Sequence, residues 1–520
     1  MKIDRERSII TLKIKLRGII MYKFLLTKLD QDVYELFAHF FEQAVEREKL
    51  NILAEKTNLS KRRIVLVFER ALDLQTAYPY FEIALHEGRE MTLYFAPNFL
   101  LSKLYSVMLA ESMPFQILDR LFSDKYVSLE ETAQQHYVSN RTVQRKLKEV
   151  ETILENYHIR LNLKRKPLFV GEEYRIRHFF HIMYWQIYDA TNARYSGLTK
   201  QSVSTLKKKL TSYPSFYRGI DQEKFVQLLA LSIYRFKRGF PVKEIPQEMR
   251  EMRHLTISFE EFKEELIKPL LRDNLILNEL PETEFLFLYY MFSVMTTYLP
   301  EEIPSQLTIG EHFSPQAIAA ARLFTETAQK VFLVSESKID YLLVNALNIH
   351  SVSLLFASKN KIDAFGKTTT DKDYRRVFPK IFPLVQEMYP SLAQQSPIFA
   401  TMYEANNRLL FQYSMLLSLV AKIDRSTVRI FHESKFGKIQ EIRQKERLKR
   451  WFGYTLSFVS ENPDFVVTDY PVNRQAFIDQ NPNVQFFKWN SFPTGDRWLE
   501  LIEAVEKFQN ELLKEKESKE

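Results

Sequence analysis

The stretch Ser128–Leu161, SLEETAQQHYVSNRTVQRKLKEVETILENYHIRL, decides how this chain is read. Ser128 followed three residues later by Glu131 is the pattern of a capping box, so a helix is predicted from Leu129. Ala133 is small where two helices would cross closely, and Ser139 is suited to cap the next helix. In that second helix Val143, Leu147 and Val150 recur at i, i+4 and i+7 and are predicted to face a core. Asn140, Arg141, Gln144, Arg145 and Lys148 then face outward, with Ser139 and Thr142 at the start. Amide and guanidinium groups on one helical face suit base edges and phosphates of double-stranded DNA. The stretch reads as a helix-turn-helix, with a helical hairpin inside a core as the alternative.

Residues 158–171, HIRLNLKRKPLFVG, alternate around Lys164-Arg165-Lys166-Pro167 and are predicted to form a wing. Arg160, Lys164, Arg165 and Lys166 make it basic enough to lie along a phosphate backbone, where contacts position rather than specify. Upstream, LNILAEKTNLSKRRIVLVFERALDL (50–74) repeats the pattern. An offset of 79 residues, from Ser60 to Ser139, superposes Leu50 on Leu129, Ala54 on Ala133 and Ile64 on Val143. Here Ser60, Lys61, Arg62 and Arg63 are the candidate DNA contacts, but Val65 to Phe68 make the helix unusually apolar. A second reader and a packing module both remain open for this copy. ALHEGREMTLYFAPN (84–98) follows as its wing, turning at Glu87-Gly88.

From Gly171 to Asn406 the pattern is helical, with aromatic-rich amphipathic segments at 171–190, 221–240 and 338–361 and a buried helix at 281–300. Pro300, Pro304 and Gly310 mark a boundary between two helical units. After Arg425 the apolar runs STVRIFHES, YTLSFVS, DFVVTDYP and NVQFFKWN alternate with the charged helix KIQEIRQKERLKRW and a final helix. That alternation predicts a small α/β domain with an at least partly parallel sheet.

Bulk properties limit the function. A chain of 520 residues is too long for one core, and 45% hydrophobic content with 41 Phe and 26 Tyr excludes a disordered protein. Eleven Gly argue against Gly-rich phosphate loops. The absence of Cys excludes disulfides, thiolate catalysis and Cys-ligated metal centres. A net charge of +8 is compatible with a polyanionic partner. Lys13, Lys15 and Arg17 interrupt the N-terminal apolar run, so no signal peptide is expected. No window approaches about 18 apolar residues, so no membrane span is predicted and a cytoplasmic location is expected. Met21 offers an alternative start.

The two helix-turn-helix units, YVSNRTVQRKLKEV leading into GEEYRIRHFFHIMYW, the helical middle and the Cys-free α/β end together resemble the Mga/AtxA group. These are global transcriptional regulators of Gram-positive bacteria with phosphotransferase-system regulation (PRD) domains. The resemblance runs in order from about Met21 to Val505. It implies a multidomain, mainly α protein: an extension at 1–20, winged helix-turn-helix domains at 21–100 and 101–170, and PRD-like domains at 171–295 and 296–406. An EIIB-like α/β domain at 407–510 and a charged tail at 511–520 complete it. It further implies histidine phosphorylation by a transient phosphocarrier protein, and a homodimer or higher oligomer, with no cofactor, no enzymatic activity and no membrane partner. Where such domains carry a His seven residues before Arg235, this chain has Leu228. His350 is the implied phospho-acceptor, against a purely structural role on its apolar helix. His178 and His181 are read as packing residues rather than a metal site, and Lys435–Arg450 as a solvated helix face rather than a DNA contact. The alternatives are an RNA-binding antiterminator, which would begin with a small β-rich module, and a phosphotransferase-type phosphocarrier, against which the missing Cys speaks.

Overall fold

In this computed structural model the described residues are 25–42, 45–87, 89–164, 168–187, 198–213, 219–271, 280–303, 313–356, 374–375, 377–378, 380–405, 409–421, 428–452 and 456–517. The expectations for 1–20 and for the wing residues Arg165 and Lys166 lie outside them. The chain divides into two compact units, Met1–Ala421 and Lys422–Glu520. The first is helical with two small antiparallel sheets, and the second is built on a parallel sheet.

The first unit starts with α1 (Lys28–Glu42), β1 (Arg47–Lys49), α2 (Leu50–Thr57), α3 (Lys61–Ala77), β2 (Phe81–His86) and β3 (Glu90–Phe95). β3 pairs antiparallel with both β2 and β1, so a three-stranded sheet closes beside the α2–α3 pair. Next come α4 (Leu101–Glu111), α5 (Met113–Phe122), α6 (Leu129–Gln135), α7 (Asn140–Asn156), β4 (Arg160–Leu161), β5 (Phe169–Val170) and α8 (Glu173–Ile187). All these helices bury their apolar faces in one core running from Leu25 to Ile187.

The helical middle comprises α9 (Lys200–Leu210), α10 (Gly219–Lys237), α11 (Gln247–Glu251) and α12 (Phe259–Glu261), which continues through a π-turn (Phe262–Ile267) into α13 (Lys268–Leu271). α14 (Glu282–Met295), α15 (Pro315–Phe332), α16 (Ile339–Leu355), α17 (Ile381–Gln395), α18 (Pro397–Ala405) and α19 (Leu409–Ser418) follow. A second core runs continuously from Tyr174 to Val420, so the two helical units expected on either side of residue 295 share their apolar interior. The expected boundary at 406/407 also moves. Leu409, Tyr413 and Leu417 are buried in this core, which keeps α19 in the first unit and puts the division after Ala421.

In the second unit β6 (Val428–Glu433), α20 (Lys438–Phe452), β7 (Leu456–Phe458), β8 (Phe465–Thr468), α21 (Arg474–Gln480), β9 (Gln485–Lys488) and α22 (Gly495–Glu517) form a sheet in the order β7-β6-β8-β9. Every pairing is parallel, so each strand returns through a crossover. Val428, Ile430, Phe465 and Val467 pack with Trp498, Leu501 and Val505 of α22. Among the described residues no helix is long and apolar enough to cross a membrane.

Candidate nucleic-acid interface

The α6–α7 corner is fixed by its caps. Ser128 Oγ accepts from Glu131 N at 3.1 Å and Ser139 Oγ accepts from Thr142 N at 3.3 Å, each satisfying an otherwise orphan donor of the first turn. Only half of the anticipated capping box forms, because the Glu131 carboxylate turns to Arg120 of α5 at 2.6 Å. Between the helices Tyr137 takes φ +52°, in the left-handed region that costs a non-glycine residue roughly 1–2 kcal/mol. Val138 N closes the turn on Ala133 O at 3.0 Å. Shifted by the offset of the repeat, Tyr137 falls on Asn58, which has φ +55°. The two copies therefore share a backbone path, and α3 and α7 both span 17 residues.

Val143, Leu147 and Val150 of α7 are buried, and Asn140, Arg141, Gln144, Arg145 and Lys148 are exposed on the opposite side, with Ser139 exposed and Thr142 half-buried at its N-terminal end. No carboxylate among the described residues pairs with Arg141, Arg145 or Lys148, whereas Lys146, turned partly inward, holds Glu149 at 2.7 Å. The five outward side chains lie in one arc of the helix surface, as 3.6-residue periodicity requires. Such an arc, charged and free of internal partners, can meet acceptors in a groove.

The second wing is short. β4 and β5 pair through Arg160↔Val170 and Leu161↔Phe169, leaving Arg160 and Lys164 exposed. Its return strand needs Gly171, where a Cβ would lie 2.9 Å from His158 O. One exposed residue escaped the sequence reading: Tyr137 is 96% exposed at the tip of the corner, two residues before the Ser139 cap of α7. The signal was present as a lone aromatic beside a cap, but a tyrosine in a chain rich in them carries little information.

The first copy is built differently on the same path. Ser60 caps α3 by accepting from Arg63 N at 3.2 Å, and Lys61 and Arg62 are exposed. Arg63 does not join them. Its Nε donates to the buried Asp32 of α1 at 2.6 Å, so this guanidinium ties α3 to α1. At the positions matching Arg141, Gln144, Arg145 and Lys148 stand Arg62, Val65, Leu66 and Glu69. Its outward face is thus largely apolar and acidic beyond the first turn. A hollow of about 960 Å³ beside the hairpin is lined by Arg47, Lys49, Lys61 and Arg89 together with Glu87 and Glu90, and Arg47 is paired with Glu90 at 2.9 Å.

His350 lies in the helical core, fully buried, with Nε2 2.6 Å from the Tyr413 hydroxyl. Burial pushes its pKa down to about 3, and its Nδ1 has no hydrogen-bond partner among the described residues. His178 and His181 are also buried and are pushed down to about 3 and about 4, chiefly by burial, His178 stacking on Phe356 at 3.7 Å between centroids. Leu228, where a phospho-acceptor was sought, is core, and Arg235 is paired with Glu173. Among the described residues no group of three or more His, Asp or Glu is placed to hold a metal ion.

At the carboxyl end of β6 the loop Ser434–Gly437 carries backbone donors of the kind that cradle phosphate. One of them, Lys435 N, donates to the Asp469 carboxylate at 2.7 Å, which also accepts from Ser434 Oγ at 2.8 Å, while Ser434 N donates to Glu441 and Phe436 N to Ser434 Oγ. Burial raises the pKa of the Asp469 carboxyl, and the hydrogen bonds outweigh it and hold it below the usual range.

Residues 97–184, from the approach to α4 through most of α8, match the family described as the Mga helix-turn-helix domain. No curated protein matches the sequence. The family match points to a DNA-binding regulator, and the matched span contains the α6–α7 corner, the exposed arc of α7 and the second wing.

Proposed function

We propose that this protein is a DNA-binding transcription regulator of the Mga/AtxA type, with α7 entering the major groove and the β4–β5 wing lying along the backbone. The carrying observation is the exposed arc of α7, Asn140, Arg141, Gln144, Arg145 and Lys148, on a helix whose other face is locked into a core. Phosphate contacts from Arg160 and Lys164, with Arg165 and Lys166 continuing the basic run, would orient it. The first copy contributes Lys61 and Arg62 at most, and mainly braces the reader. Affinity then falls with salt at a log–log slope of about −0.9 for each phosphate contacted. The deciding experiment is Arg141→Ala with Arg145→Ala in the full-length protein. Each lost bidentate base contact costs about 1–3 kcal/mol of binding, with helical content intact. Undiminished promoter binding by that folded variant refutes the assignment.

The regulatory part of the proposal assigns 171–295 and 296–406 to PRD-like domains and the parallel-sheet unit to an EIIB-like domain, with chains pairing as a dimer or larger assembly. A phosphocarrier protein delivers phosphate to His350. Burial keeps this imidazole neutral and so nucleophilic. Access requires Tyr413 and α19 to move off α16, and a phosphate carrying about −1.5 to −2 charge would then hold that seam open. Phosphate labelling by the general phosphotransferase enzymes, mapped by peptide analysis, tests this, and an unlabelled His350 ends it. Against a phosphocarrier role for the α/β unit stand the missing Cys and the carboxylate of Asp469, an anion already held by Lys435 N and the Ser434 hydroxyl.

A further inference from the structure

The second unit carries a surface that DNA reading does not use. Phe436 and Phe492, from the loops after β6 and β9, meet with ring centroids 5.2 Å apart and are 56% and 74% exposed. Ile439 and Ile442, in the first turns of α20, extend the patch along the helix at 85% and 50% exposure. Four large apolar side chains left in water on adjoining positions are a marked departure from scattered surface hydrophobics and indicate an interaction site.

Ile439 and Ile442 lie one turn apart on α20 and present an apolar ridge that a helix can seat against, with the Glu446–Lys449 ion pair further along the same face. The charges specify the sign of the occupant. Lys435, Lys438, Arg443 and Lys449 are exposed around the patch, with Lys435 Nζ 5.5 Å from the centre of the Phe436 ring. Of the nearby acids, Glu441 accepts from Ser434 N and sits beside Lys445, and Asp469 is held by Ser434 and Lys435. Of the exposed carboxylates, Glu446 is paired with Lys449 at the far end and Glu433 with Tyr470, and Asp496, four residues after Phe492, is outnumbered by the four cations.

We propose that this stripe docks an acidic amphipathic helix of a partner protein. A second copy of the chain is disfavoured because two-fold pairing over the patch would set Lys435 and Lys438 against their own counterparts. An anionic bilayer would draw on the same lysines and is the outcome that vesicle binding distinguishes.

The test uses the full-length protein and two labelled synthetic helical peptides, identical in their apolar stripe and carrying either Glu or Lys on its flanks. The Glu peptide should bind at least about tenfold more tightly and weaken with salt. Ile439→Asp and Phe492→Ser should each reduce that binding by about tenfold or more without changing the melting temperature or DNA affinity. Lys435→Glu with Lys438→Glu should reverse the preference toward the Lys peptide. Equal binding of the two peptides, or no reversal, overturns the proposal. It also falls if Ile439→Asp lowers the sedimenting mass of the protein, which assigns the stripe to a second copy. Vesicles of phosphatidylglycerol and phosphatidylcholine that pellet the wild type but not Ile439→Asp assign it to a bilayer and overturn it as well.

Discussion

Glu173 holds Arg235 through two hydrogen bonds, 2.8 and 2.7 Å long, and the same carboxylate takes a third from Arg177 at 3.1 Å. Arg177, with no exposed surface, then reaches Glu284 with both terminal nitrogens at 2.5 and 2.8 Å. Burial opposes the Arg177 charge, and the carboxylates of Glu284 and Glu173 more than offset it, so its pKa is raised. This chain of charges joins α8 to α10 and α14. Further along the same face α8 packs Phe180 against Phe122 of α5 at 4.2 Å and Tyr184 donates to Asp119 at 3.2 Å. The reader and the helical middle are therefore clamped by one helix.

Removing one partner from this network strands a buried charge, so Glu284→Ala should destabilise the first unit by about 3–5 kcal/mol. Pairing it with Arg177→Met removes the stranded charge and should recover a large part of that loss. Chemical denaturation of the three variants measures both effects, and a double variant no more stable than Glu284→Ala contradicts the network's role.

The unequal copies make a prediction of opposite sign. Val65, Leu66 and Glu69 occupy the positions of Gln144, Arg145 and Lys148 and are not fully buried. Val65→Gln, Leu66→Arg and Glu69→Lys together should leave stability within about 0.5 kcal/mol per site, as surface changes do. DNA binding should tighten and its salt slope steepen if the α3 face lies along the same duplex. Arg62→Ala should cost less affinity than Arg141→Ala, as measured by titration at fixed salt.

The second helix pair was legible because three kinds of signal agree there: capping serines, core periodicity and a basic face. The strands of the α/β unit were legible for a similar reason, their apolar runs being short and bounded by turns or charged helices. What the sequence hid is set by distant partners. Glu173 and Arg177 stand in the conspicuous GEEYRIR segment, but Arg235 lies 62 residues from Glu173 and Glu284 lies 107 from Arg177. Arg63 looks like its neighbours Lys61 and Arg62, and only the position of Asp32 on α1 shows that it faces inward. The true end of the helical unit depends on Tyr413 fitting beside His350, which no local pattern announces.

Buried histidines give the first unit a pH dependence. The pKa values of His178, His254 and His350 are pushed down to about 3 and that of His181 to about 4, burial being the largest cause in each. Unfolded histidine titrates near 6.5, so below that pH the unfolded chain binds protons that the native state refuses. Stability is complete above about pH 6.5 and falls as pH drops toward the folded values, by about 1.4 kcal/mol per histidine at about pH 5.5. His350→Gln, which can still bond Tyr413, should flatten the slope of stability against pH by one proton's share between about pH 4 and 6. Urea unfolding across that range checks it, and an unchanged slope contradicts the burial of this imidazole.

Asp469 acts as the internal anion of the Ser434–Gly437 loop, and its removal should behave accordingly. Asp469→Ala leaves Lys435 N–H and the Ser434 hydroxyl without their acceptor and should destabilise the second unit by about 1–3 kcal/mol. Because the native pKa lies below the ordinary value, the stabilisation is present above about pH 4 and lost as the carboxyl protonates on further acidification. The vacated donors then offer a place to an external anion beside Lys435 and the start of α20. Inorganic phosphate should raise the melting temperature of Asp469→Ala by more than that of the wild type, where Asp469 already holds those positions. Equal phosphate responses in differential scanning calorimetry would show that the loop's donors are not what Asp469 is satisfying.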